Sequence, residues 1–197
     1  MQLVIEWTVL AVAVLVAVTF HEFSHGAVAY LLGDSTAKEQ GRLSLNPLKH
    51  LDVFGTLMFV IFKFGWGKPV PVNHHHFKNP KWGMAFVSLA GPLSNFLIAA
   101  ILGLVLKTGL FTGLAGYVIG SIAFINIILG VFNLLPLPPL DGSRLVSAIL
   151  PEPLLKMYQS IEGYGIVVVF IAIYFFPGGF TRVFSPFINF FSNLFLV

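Results

Sequence analysis

The sequence predicts an all-α, polytopic membrane protein. It has about four to five transmembrane helices and a short re-entrant or β-hairpin element between the first and second spans. Three observations carry this. Hydrophobic residues make up 57% of the 197 and charged residues only 10%, where a soluble domain is roughly a quarter charged. Mean hydropathy is +0.90. The apolar residues also gather into runs near the about 20 residues that a helix needs to cross a hydrocarbon core of about 30 Å. The length suits a single domain over 1–197, with a core over 3–150 and C-terminal helices over 151–197.

The first run, Leu3–Phe20, is broken only by Glu6, and its helical pattern continues through His21–Leu32. At about 1.5 Å per residue this helix outruns a bilayer core. It does not read as a cleaved signal peptide: no Lys or Arg precedes it and no A-x-A site follows. Val53–Phe64 is apolar but short, which suits a re-entrant or half-buried element. Gly65–Val72 is too rich in Gly and Pro for a helix and suits a sheet edge or hairpin. Met84–Leu106 and Leu114–Leu135 read as the second and third spans and Ile161–Phe176 as a short fourth. Val183–Val197 is a fifth span or an interfacial helix.

Charge sets the expected orientation. Seven of the eleven basic residues (Lys38, Arg42, Lys49, Lys63, Lys68, Lys78 and Lys81) lie between the first two spans, which places that stretch in the cytoplasm. The N-terminus is then outside, and the C-terminal end of the first helix faces in. The net charge of +3 reads as topology rather than as nucleic-acid binding. With no Cys in the chain, disulfides, thiolate metal sites and cysteine nucleophiles are excluded.

The chemistry lies in His21-Glu22-Phe23-Ser24-His25, an H-E-x-x-H pattern. Positions i and i+4 share one helix face, so both imidazoles can hold one Zn²⁺ with Glu22 close enough to act as general base. Three ionisable groups within five residues of a membrane helix are costly and mark a functional site. Catalytic zinc takes a third protein ligand and keeps one position open. Asp141 stands apart from the other acids: it follows Pro136, Pro138 and Pro139 just past the third span, on the same membrane face as His21 and His25. The prolines predict a stiff, extended approach and Gly142 a sharp turn. The alternative is that Asp141 caps a helix over Gly142–Leu150.

H-E-x-x-H in a first membrane helix, with Asn133-Leu134-Leu135-Pro136-Leu137-Pro138-Pro139-Leu140-Asp141-Gly142 after a later one, closely resembles the site-2 proteases, intramembrane zinc metalloproteases of peptidase family M50. The loop Gly41-Arg42-Leu43-Ser44-Leu45-Asn46-Pro47-Leu48-Lys49-His50-Leu51-Asp52 and the stretches Lys68–Asn73 and Ala90–Asn95 extend the likeness to the small bacterial branch, which lacks PDZ and CBS domains. The resemblance covers roughly 10–150. It implies one Zn²⁺ per chain held by His21, His25 and Asp141, with Glu22 activating the water. Asn133 would bond substrate or the oxyanion, or else satisfy a broken helix end. Asn95 would serve packing beside Gly91, a helix–helix bond or catalysis. The Gly65–Gly67 region would pair with an extended substrate.

The implied partners are transmembrane proteins or peptides and the lipid bilayer, with no nucleic acid. The implied place is the cell membrane, the active site facing the cytoplasm inside a polar cavity. A zinc or ion transporter and an inactive scaffold are the rival readings. His74-His75-His76 is a weak metal signal, since adjacent residues do not point one way. His50 and Asp52 read as a hydrogen-bonded loop pair, and Asn126 as a link between helices.

Overall fold

The computed structural model describes residues 1–62, 65–160 and 162–197. The described residues form nine α-helices: α1 (Gln2–Leu31), α2 (Thr36–Glu39), α3 (Val53–Phe62), α4 (Pro80–Lys107), α5 (Gly113–Asn133), α6 (Asp141–Ile149), α7 (Glu152–Ser160), α8 (Gly165–Phe175) and α9 (Pro177–Phe195). Of these, α1, α4 and α5 are long and apolar enough to cross a membrane. They match the first three expected spans and pack against one another, with α6 against α4 and α9 against α5.

Small and polar side chains occupy the buried seam, while the large apolar ones face outward. Along α1 the buried positions include Val9, Ala13, Ala17, His21, His25 and Ala29, one every four residues. Along α4 they include Gly83, Val87, Gly91, Asn95, Ala99 and Gly103, again every four. Rows at i±4 form the ridges by which helices interlock. Small residues on them let backbones approach closely where lipid removes any hydrophobic drive between helices. Leu93, Leu97 and Leu104 on the other side of α4 are 52–66% exposed. A second contact layer joins Phe96, Ile127 and Val131 to Phe184 of α9, with Phe191 stacked on Phe96 at 4.2 Å.

The expected fourth span begins at Ile161, outside the described residues. Its described residues form a 3-10 turn over Glu162–Tyr164 and the 11-residue α8, a helix well short of the about 20 residues of a full span. The segment expected at Val183–Val197 is helical from Pro177, where Thr, Ser, Asn and Arg182 dilute its apolar character. Where a re-entrant or β-hairpin element is expected between the first two spans, the described residues form the ten-residue helix α3. Lys63 and Phe64, within the stretches assigned there, lie outside the described residues. Of the expected hairpin, the described residues show one antiparallel bridge, Leu51 to Gly67. Three side chains start elements as their sequence suggests: Asn46, Asn73 and Asn79 each accept a hydrogen bond from a backbone N–H of the turn that follows.

The proline-rich approach to Asp141 is not extended. Leu137 N–H bonds Leu135 O and Leu140 N–H bonds Leu137 O, each at 2.8 Å, and the Pro138–Pro139 peptide is cis. The chain turns back on itself because α6 must start against the end of α5. Gly142 serves that close return rather than a positive φ: a Cβ there would stand 2.3 Å from Leu134 O and 2.4 Å from Leu135 O.

Candidate metal centre

The four-residue row of α1 carries His21 and His25 into the seam, with side chains 6% and 10% exposed. Their rings meet edge-on at 89°. Asp141, in the first turn of α6, is brought to the same point. Its Oδ2 lies 3.0 Å from His21 Nε2 and 3.2 Å from His25 Nε2, and the two Nε2 atoms are 3.0 Å apart. Asp141 is not the helix cap. That position is Leu140, which frees the carboxylate to face the histidines.

Hydrogen bonds on the far side of each ring decide its tautomer. His25 Nδ1 is 2.7 Å from Val87 O, an acceptor only, so Nδ1 carries the proton. His21 Nδ1 is 2.7 Å from Asn95 Oδ1. Asn95 Nδ2 donates to Ala17 O at 3.1 Å and to Asn126 Oδ1 at 2.8 Å, and Asn126 Nδ2 donates to Ile122 O at 2.8 Å. Because the backbone carbonyls can only accept, both amide orientations follow, and so does the proton on His21 Nδ1. With Nδ1 engaged behind it, each ring turns its Nε2 toward Asp141 Oδ2.

Three Lewis-basic atoms within 3.2 Å repel one another unless a proton or a metal ion lies among them. Asp141 Oδ2 is buried and makes no hydrogen bond of good geometry. The 3.0–3.2 Å edges approach the about 3.3 Å edge of a tetrahedron with bonds of about 2.0 Å, and two imidazoles with one carboxylate are ordinary zinc ligands. The donor set thus fits a divalent zinc ion. Among the described residues this is the trio of such side chains that could hold a metal.

Gly91 of α4 makes room for the trio. A Cβ there would stand 2.6 Å from His21 Cε1 and from His25 Cε1 and Nε2. Neither the role of Gly91 nor the bond from Asn95 to His21 was evident from motifs. The four-residue row shared by Gly83, Val87, Gly91 and Asn95 was the signal that could have placed them opposite the histidines.

Glu22, next to His21 in the chain, is half-buried, and its Oε2 accepts the Val70 N–H at 2.8 Å. Asn133 ends α5 with its Nδ2 bonded to Leu129 O of its own helix at 3.1 Å. The segment around Val70 is partly committed already: Lys68 O and Pro69 O accept from Arg42. A groove of about 490 Å³ lies at Met1, Gln2, Glu6 and Tyr117, some four turns of α1 away from His21.

Other expected pairings resolve differently. His50 and Asp52 do not bond each other: His50 Nε2 donates to Ser44 O at 2.7 Å, and Asp52 Oδ1 accepts Gly55 N–H at 2.8 Å. The free N–H groups at the start of α3 claim the aspartate. In the His74–His76 turn, His76 Nδ1 donates to Asp34 Oδ1 at 2.9 Å, while His74 and His75 are exposed.

Helices able to span a bilayer, around two imidazoles and a carboxylate fit for zinc with a further carboxylate adjacent, define a membrane metallohydrolase. The profile of peptidase family M50 matches residues 110–177. The chain is 40% identical over 190 residues to "Putative zinc metalloprotease YwhC" of Bacillus subtilis, covering 91% of this chain and 85% of that one. It is 30% identical to "Putative zinc metalloprotease Rip2" of Mycolicibacterium smegmatis, over 81% of this chain and 64% of the relative. With "Zinc metalloprotease MJ0392" of Methanocaldococcus jannaschii it shares 29%, over 75% of this chain and 36% of the relative. No solved structure matches. The chain belongs to peptidase family M50, the site-2 proteases, and is a zinc metalloprotease.

Proposed function

We propose that this metalloprotease cuts transmembrane proteins or peptides within the bilayer, near its cytoplasmic side. The observation that carries the reading is the convergence of His21 Nε2, His25 Nε2 and Asp141 Oδ2 within 3.2 Å, on helices apolar enough to lie in lipid. His21, His25 and Asp141 hold one zinc ion per chain. Bound zinc supplies Lewis acidity and a water of lowered pKa. Glu22 takes the proton of the attacking water and returns it to the leaving nitrogen. Asn133 bonds the substrate or its developing oxyanion once its amide leaves Leu129.

The basic residues between α1 and α4 support a cytoplasmic loop and an external N-terminus in the cell membrane. Asp141, with 19% of its side chain exposed, is the more open side of the trio and the natural entry for water. Residues 1–197 act as one domain, with the catalytic core over 3–150. Four or five spans follow if α8 and α9 also enter the bilayer. Since Lys68, Pro69 and Val70 already have backbone bonds, an extended substrate pairs with this segment outside those groups.

The test is cleavage of a model transmembrane peptide in lipid vesicles by the wild type and by Glu22→Gln, with zinc content measured in both. Glu22→Gln is expected to keep its zinc and lose cleavage by at least the about 10²–10⁴ typical of general acid–base catalysis. Unchanged cleavage would remove Glu22 from its role. Cleavage confined to soluble peptides would remove the intramembrane substrate.

A further inference from the structure

The Gly41–Asp52 loop carries a pattern that the metal centre does not use, and its arginine reaches toward Glu22. Arg42 Nη2 lies 2.8 Å from Lys68 O and 3.2 Å from Pro69 O. The Pro69–Val70 peptide is therefore gripped on both sides: its oxygen by Arg42, its N–H by Glu22 Oε2 at 2.8 Å. A trans peptide is planar, with N–H and C=O pointing opposite ways. Restraining the oxygen therefore restrains the donor. A cation at the carbonyl also polarises the unit and strengthens the N–H bond to a carboxylate.

The surroundings leave this peptide little freedom. Pro69 and Pro71 fix φ on either side and supply no N–H, so Val70 offers the one backbone donor from 69 to 71. Lys68 N–H bonds His50 O at 2.8 Å, and the His50 ring is 1% exposed and tied to Ser44 O. Among the described residues Arg42 forms no ion pair with a carboxylate, and its Nε is buried without a hydrogen-bond partner. An unsatisfied buried donor is a cost.

We infer that Arg42 is a positioning residue for Glu22, acting through the Pro69–Val70 peptide to hold the carboxylate beside the metal trio. The inference rests on the proposed role of Glu22 as general base.

Full-length protein carrying Arg42→Met or Arg42→Lys, each alone and combined with Glu22→Asp, tests it on a transmembrane peptide. Arg42→Met is expected to lower kcat about ten- to hundredfold, part of the about 10²–10⁴ of general-base catalysis. KM and zinc content stay unchanged. Arg42→Lys keeps the charge without the guanidinium fork and recovers part of the loss. Glu22→Asp is too short to reach Val70 N–H, so in that background either change should cost less than about threefold, the mark of coupled residues.

An equal loss in both backgrounds, or one carried by KM or by lost zinc, overturns the role of Arg42 and leaves Glu22 as the base. Unimpaired cleavage by Glu22→Gln overturns the base itself and Arg42 with it. Should Arg42→Met not fold, Arg42→Lys completes the same cycle.

Discussion

His21 Nδ1 and Asn95 Oδ1 stand 2.7 Å apart at the buried crossing of α1 and α4. That bond selects which nitrogen of His21 faces Asp141. It is held in turn by Asn126, so one helix supplies the proposed ligand and two others set its orientation. Partners behind a metal-binding histidine fix its tautomer and raise its basicity.

Asn95→Leu should therefore weaken zinc binding about ten- to hundredfold, the usual cost of losing such a partner. Competition with a graded chelator series reads it directly. Asn126→Leu should do less, because Asn95 Nδ2 still has Ala17 O to fix it. Equal zinc affinity in Asn95→Leu and wild type would show that the histidine holds its own orientation.

Gly91→Ala should be worse than its one methyl suggests. The methyl would lie 2.6 Å from atoms of both imidazoles, and neither ring can swing away without leaving Asn95 or Val87. Overpacking of this kind typically costs about 1–3 kcal/mol. The expected result is a lower melting temperature in detergent together with substoichiometric zinc. Addition of excess zinc should recover part of both.

Acid should loosen the junction between α1 and the turn before α4. Asp34 is fully buried. Burial pushes its carboxyl up, but hydrogen bonds from Thr36, Asn73 and His76 outweigh that and hold it below the usual range. A group depressed in the folded state contributes stability above its unfolded value of about 3.9. That contribution is lost as pH falls through the unfolded value toward the folded one. Melting temperature should drop below about pH 4, and Asp34→Asn should flatten that drop while lowering stability at neutral pH. Parallel acid profiles for the two proteins would place the acid-sensitive group elsewhere.

Much of this protein was determined by local sequence. The composition and three long apolar runs define α1, α4 and α5, because a helix in lipid must satisfy its own backbone. The i, i+4 spacing of His21 and His25 puts both on one face, because 3.6 residues make a turn. Whatever depends on separate segments meeting was decided by tertiary structure. By sequence Asp141 reads as a helix cap or a ligand; the cap is Leu140, and the close return at Gly142 aims the carboxylate at the histidines. Asn95 read equally as packing, bond or catalyst until α4 crossed α1 beside Ala17. The proline-rich approach looked stiff and extended, yet it turns, since α6 must begin where α5 ends. Periodicity reports the face on which a side chain lies; only packing determines what lies opposite.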